Sequence, residues 1–236
     1  MTDTYRMADR TIAITSLHEE IHRLCRDYRA EGEPDLRVEI TQADVDYERS
    51  RSTRPDASEP YLETLAVCRK IAETMPSRDT VLMHGAALAI DGAGVIFTAK
   101  SGTGKSTHAR LWREVFGKRV VMVNDDKPLV KITESGVIAY GTPWNGKHRL
   151  GKNIAVPLKA VCVLERAEEN AIVSISASEA RPMLVRQIYR PADPAMLQKT
   201  LALIDRLADT VCLYRLGCNM DPAAAVVAYA GMKGTL

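Results

Sequence analysis

Val95-Ile96-Phe97-Thr98-Ala99-Lys100-Ser101-Gly102-Thr103-Gly104-Lys105-Ser106-Thr107 reads as an apolar strand, a glycine-containing turn and the start of a helix. Glycines at 102 and 104 allow backbone angles at which consecutive N–H groups point inward, and a helix N-terminus adds partial positive charge at the same place. Lys105 supplies a cation and Ser106 a hydroxyl for Mg²⁺, so the segment predicts a cradle for nucleotide phosphates built from Ser101, Gly102, Thr103, Gly104, Lys105, Ser106 and Thr107. Ala99 stands where G-x-x-x-x-G-K-[ST] has its first glycine. A chance match to the relaxed pattern in a chain this long is on the order of 1 in 60, and the strand-before, helix-after context makes it rarer.

Downstream, Val120-Val121-Met122-Val123 ends in Asn124-Asp125-Asp126. If this strand runs parallel to the one feeding the turn, its acidic end emerges beside the phosphates. Adjacent side chains on an extended chain alternate direction, so the two carboxylates divide the work: one for Mg²⁺ or its water shell, the other facing an incoming nucleophile. Upstream, Val81–Ile90 and Gly94–Thr98 flank Asp91-Gly92-Ala93-Gly94, a hairpin signal. Pairing would carry His84 towards the phosphate end as metal ligand or electrostatic helper; a strand-end histidine bonded to backbone is the alternative. The segment Gly141–Asn153 has three glycines and four side chains that can carry positive charge, among them Lys147 and Arg149. Such a loop can close over a transferring phosphate.

The rest of the chain predicts an α/β protein with a mixed sheet. Val137–Tyr140 and Ala160–Leu164 are strand-like, Gly104–Val115 and the stretch through Met196, Leu201, Ile204 and Leu207 have helical spacing, and Pro222–Met232 suits a terminal helix. Residues 1–76 read as a small α/β subdomain and 77–236 as the main domain. In the former, Ser16 and Glu19 have capping-box spacing ahead of Leu17, Ile21, Leu24 and Tyr28, with Gly32 as a stop. Leu36–Ile40 alternates as a strand, residues 43–60 read as a mobile connection, and Leu62, Leu65, Ile71 and Met75 mark a helix.

Of 236 residues, 32 are Lys or Arg and 30 Asp or Glu, which gives no case for nucleic acid. The balance is uneven: residues 1–76 hold 11 basic and 16 acidic groups, the remainder 21 and 14, and a positive main body suits an anionic ligand. No apolar run reaches the roughly 20 residues of a membrane span, and the N-terminus lacks a signal-peptide core, so a cytoplasmic protein without membrane contact is expected. Five scattered cysteines read as reduced packing residues, with Cys218 the one expected at the surface.

Met83-His84, the Ser101–Thr107 turn and Asp125-Asp126, with a short gap from Ser106 to Asp125, together resemble the phosphoenolpyruvate-carboxykinase-like P-loop fold. They are most similar to the catalytic domain of HPr kinase/phosphorylase over about residues 80–165. Lys152-Asn153-Ile154-Ala155-Val156 is similar to an HPr-kinase segment that carries arginine where Lys152 stands. The resemblance implies a P-loop phosphotransferase using ATP and Mg²⁺, with a serine-type hydroxyl of a protein or peptide as acceptor, such as a phosphocarrier protein or a ribosomal peptide. It implies Asp125 as general base, Ser106 and Asp126 as metal ligands, His84, Lys105 and Lys152 as further catalytic groups, and a homo-oligomer. A dicarboxylate-binding segment like that of the carboxykinases has no counterpart. Residues 1–76 and the loop after Tyr140 depart from HPr kinases, which keeps a small-molecule kinase and a non-catalytic ATP sensor as alternatives.

Overall fold

A computed structural model describes residues 1–236, which form two compact units, Met1–Thr74 and Met75–Leu236. In the first, β1 (Thr2–Met7) and β2 (Arg10–Thr15) form an antiparallel hairpin, and β3 (Leu36–Glu39) joins β2 in parallel. Helices α1 (Glu20–Leu24), α2 (Gln42–Arg51) and α3 (Glu59–Thr74) complete it. Its interior holds Tyr5, Ile12, Ile14, Ile21, Leu62 and Ile71.

Two expectations for this unit are corrected. The helix expected from Leu17 to Gly32 shrinks to α1 and a 3-10 turn, Arg26–Tyr28, and the Ser16/Glu19 capping box does not form. The fully buried Glu63 carboxylate takes the N–H groups of Leu17 (2.5 Å) and His18 (2.9 Å), while the Ser16 hydroxyl donates to His18 O and lies 2.7 Å from His22 Nε2. A long-range carboxylate thus replaces the local cap. Residues 43–60 are not a mobile connection, because most of them lie in α2 and the start of α3. Asp44 accepts from the Thr41 N–H and hydroxyl, Arg69 reaches Glu48 (2.6 Å) and Asp44 (3.2 Å), and Lys70 reaches Asp44 (2.8 Å). This ion network holds a helix whose only buried residue is Val45.

The second unit contains β4 (Thr80–Leu82), β5 (Ala86–Ile90), β6 (Ala93–Thr98), α4 (Lys105–Phe116), β7 (Val120–Asn124), β8 (Leu129–Thr133), β9 (Gly136–Tyr140), β10 (Ala155–Arg166), β11 (Ala171–Ser174), α5 (Ala177–Gln187), α6 (Pro194–Thr210), β12 (Cys212–Cys218) and α7 (Ala223–Met232). A curled mixed sheet of nine strands has the order β4-β8-β9-β10-β6-β5-β7, with β12 on β10 and β11 on β12. The twelve-residue β10 joins its parts: Ala155–Pro157 pairs antiparallel with β9, and the remainder runs parallel to both β6 and β12.

Alternation along each strand divides the core. Ala87, Ala89, Ile96 and Val161 face one apolar layer with Leu184, Ile204 and Leu207 of α5 and α6. Leu88, Val95, Phe97 and Cys162 face another with Trp112 of α4 and Ala225 and Ala228 of α7. Burial on both faces explains why these strands read as unbroken apolar runs. Asp91 and Gly92 both take positive φ (50° and 89°), the two-residue turn that the β5–β6 hairpin requires. Val81–Ile90, expected as one strand, is broken at Met83–Gly85: β4 pairs with β8, and only β5 pairs with β6. No disulfide joins the five cysteines: Cys25, Cys68 and Cys162 are buried, Cys212 is exposed and Cys218 half-buried. No helix is long and apolar enough to cross a membrane.

Candidate phosphate-binding and acidic site

The turn between β6 and α4 leaves backbone N–H groups unpaired, the geometry that an anion cradle needs. Gly102 and Gly104 sit at φ 79° and 126°, where a side chain would be strained. Helix α4 has no side-chain cap and no acidic residue in its first turn, so the N–H groups that a helix start leaves unpaired stay available. Lys105 Nζ donates to Ala99 O (2.9 Å). Outside the turn, the Arg166 guanidinium at the end of β10 donates to the carbonyls of Gly102 (2.5 Å) and Thr103 (3.5 Å), fixing their outward direction. Ser101 and Ser106 are exposed, while Thr103 and Thr107 are half-buried.

Because β5 is antiparallel to both β6 and β7, those two strands run in the same direction and end at the same sheet edge. The acidic pair at the end of β7 therefore emerges on the side of the turn. Asn124 shapes it: its Oδ1 accepts from the N–H of Asp126 (2.8 Å) and Lys127 (2.6 Å), and its Nδ2 donates to Thr142 O (3.1 Å) and Oγ1 (3.0 Å). The two carboxylates diverge. Asp126 Oδ1 lies 3.5 Å from His84 Nε2 and its Oδ2 3.2 Å from Lys127 Nζ. Asp125, buried, accepts the Gly146 N–H on Oδ1 (2.8 Å).

His84 occupies the break between β4 and β5. Its N–H bonds Gln187 O (2.7 Å), its Nδ1 lies 3.1 Å from Gln187 Oε1, and its carbonyl accepts from Thr98 Oγ1 at the foot of the turn. Burial and the charge of Lys105 hold the imidazole pKa below its ordinary value, against the pull of Asp126 and the Gln187 bond. Burial also lowers the Lys105 ammonium, opposed by Asp126. His84, Lys105 and Asp126 thus share one electrostatic field.

The basic loop is tied down through its backbone. Gly141 N–H bonds Ile154 O (2.9 Å) and Lys152 N–H bonds Val123 O (3.1 Å). A Cβ on Gly141 would meet Lys152 O and Val123 O, at 1.7 and 2.7 Å. Asn145 Oδ1 accepts from Gly151 N–H (2.9 Å), closing the loop's neck. The Lys147, Arg149 and Lys152 side chains are exposed, with no bond to the turn or the acidic pair. The structure thus sets Lys105, His84 and Asp126 in one field, with Asp125 next to Asp126 at the end of β7, while Lys147, Arg149 and Lys152 are exposed and bonded to neither. Arg166, Asn124 and Gln187 belong to the site as well; their composition and spacing carried no signal.

Ser106 and Asp126 offer oxygen donors. No group of three or more His, Cys, Asp or Glu side chains forms a metal cage. That donor set fits Mg²⁺, which takes one or two protein oxygens and completes its shell with phosphates and water.

No curated protein sequence matches the chain. Among solved structures, the HPr(Ser) kinase/phosphatase from Coxiella burnetii aligns with 12% identity over 65% of this chain and 97% of that one, at a TM-score of 0.39. A family model described as SynChlorMet cassette protein ScmC matches residues 52–220, and the chain belongs to that family.

Proposed function

We propose that the second unit is an ATP- and Mg²⁺-dependent kinase of the phosphoenolpyruvate-carboxykinase-like P-loop type, transferring the γ-phosphoryl group to a serine-type hydroxyl of a protein or peptide. The observation that carries this reading is the convergence of an uncapped glycine turn, Lys105, His84 and two divergent carboxylates at one sheet edge. Phosphoryl transfer asks mainly for positioning and charge neutralisation. The turn's N–H groups and Lys105 would hold the phosphates, and Ser106 and Asp126 would hold Mg²⁺, which would supply charge neutralisation. Asp125 takes the hydroxyl proton as the acceptor oxygen bonds to phosphorus, and the bond to the β,γ-bridging oxygen breaks to release ADP. His84, 3.5 Å from Asp126 Oδ1, is a polar neighbour of the metal-side carboxylate. Lys147, Arg149 and Lys152, exposed on the loop that Asp125 anchors, would meet an acceptor or the developing charge.

The test is incubation of host lysate with the purified chain, labelled ATP and Mg²⁺, followed by separation of labelled macromolecules from labelled small molecules. Label on a protein or peptide serine, lost with Lys105→Ala, supports the reading. Label only in a small molecule assigns a small-molecule kinase. Tight ATP binding without any transfer assigns a nucleotide sensor.

A further inference from the structure

Beside the phosphate turn, on the side away from the acidic pair, lies a cavity of about 440 Å³. It shares Gly102, Gly104 and Thr107 with the turn, and its far wall is Ala167, Cys218 and Met220. That wall is braced: Ala167 N–H bonds Cys218 O (3.1 Å), and Asn219 is locked between Asn170, Glu168 O and the Asp221 N–H. The near wall includes His108 on α4, 2% exposed. Trp112 Nε1–H donates to its Nε2 (3.0 Å), which leaves the proton on Nδ1, and that N–H has no partner. A buried donor left without a partner is costly, and an acceptor on a ligand within its reach would recover that cost.

We infer that this cavity receives the nucleoside half of a nucleoside triphosphate whose phosphates occupy the turn, with the Cys218 thiol against the nucleoside, so that thiol modification and nucleotide exclude one another. The inference rests on the nucleotide reading above and deepens it. The volume lies within the range of small-ligand pockets, and the cavity opens onto the phosphate cradle. Its far wall offers a thioether, a methyl and a thiol suited to a flat ring. Of the polar side chains in the lining, Arg166 is spent on the turn carbonyls and Asn219 on its own loop, which leaves His108 Nδ1–H and the Thr103 and Thr107 hydroxyls to meet a ligand. A flat apolar contact is common to both purines, so adenosine and guanosine triphosphates both enter.

The experiment is thiol footprinting of the intact chain with N-ethylmaleimide, read by peptide mass spectrometry. Cys212, exposed at the opposite end of β12 and about 20 Å away, is the internal control. Saturating Mg-ATP or Mg-GTP should slow labelling of Cys218 by about tenfold or more and leave Cys212 unchanged, as expected for a site occupied at ten times Kd. Magnesium tripolyphosphate should leave both rates near those of the free protein. Nucleotide binding by calorimetry with no protection of Cys218 overturns the cavity assignment and spares the nucleotide reading; absence of any ATP binding overturns both. Ala167→Trp, an exposed position whose indole would fill the cavity, must weaken ATP by at least about tenfold while leaving tripolyphosphate affinity within about twofold, a difference set by lost nucleoside contact. Equal effects on both ligands would also overturn the assignment, including where the free thiol proves unreactive.

Discussion

Gly146 donates its N–H to Asp125 Oδ1 at 2.8 Å, so the carboxylate proposed as proton acceptor is also the anchor of the basic loop. The two roles separate by substitution. Asp125→Asn keeps an oxygen for the Gly146 N–H but cannot take a proton at neutral pH, whereas Asp125→Ala loses both. Phosphoryl transfer should fall by about 10²–10⁴ in each, with Lys105-dependent ATP binding retained. Deuterium exchange across residues 142–151 should rise only in the alanine variant. Transfer at the original rate by Asp125→Asn would remove Asp125 from the chemistry.

His84 reports the field of the site. Burial and Lys105 lower its pKa, and Asp126 and Gln187 raise it. Removing the cation with Lys105→Met should therefore move the His84 titration up, and removing the anion with Asp126→Asn should move it further down. Both are read from the imidazole Cε1–H resonance against pH. Shifts of the opposite sign would mean that the three side chains do not share a site in solution.

What the sequence revealed is what local chemistry dictates. The Val95–Thr107 strand, turn and helix and the Asp91-Gly92 hairpin depend on residues a few positions apart, and both form. The parallel direction of β7 and β6 was only a condition in the sequence, and the structure meets it by setting β5 antiparallel between them. Long-range partners were not. Glu63 displaces a local cap from forty-five residues away, the ion network of Arg69 turns an apparent linker into a helix, and β10 extends well beyond the apolar Ala160–Leu164 because β9 pairs with its first residues, Ala155–Pro157. Arg166 and Gln187 reach the site only through the sheet's pairing order, which no motif encodes.

Gly141 is the tightest point of the loop's attachment. A methyl there overlaps Lys152 O and Val123 O, both backbone, so relief requires the loop to leave the end of β7. Gly141→Ala should cost about 2–4 kcal/mol of unfolding free energy or detach the loop locally. Urea denaturation measures the first, and exchange at the Lys152 amide the second. A wild-type denaturation midpoint together with a protected Lys152 amide would contradict the attachment described here.

His108 makes stability depend on pH in a direction that can be worked out. Burial alone lowers its pKa from 6.5 to about 4; it packs against Phe97 and Trp112. Above about pH 6.5 the imidazole is neutral in the folded and the unfolded chain, and it adds no slope. Between pH 6.5 and about 4 the unfolded chain takes up a proton that the folded chain refuses, so stability falls as pH falls, by up to about 1.4 kcal/mol per pH unit and about 3 kcal/mol in all. His108→Phe keeps an aromatic ring and cannot titrate. At pH 7.5 it should be less stable than the native chain, by the about 1–3 kcal/mol of a Trp112 N–H left without its acceptor. As pH drops the native chain loses ground that the variant does not, so the gap should close by about 2–3 kcal/mol on reaching pH 4.5. Carboxylates titrate equally in both proteins and cancel in the difference. A gap that stays constant from pH 7.5 to 4.5 in urea denaturation would show that the imidazole protonates as readily inside the fold as outside it, and so is not buried beside Trp112.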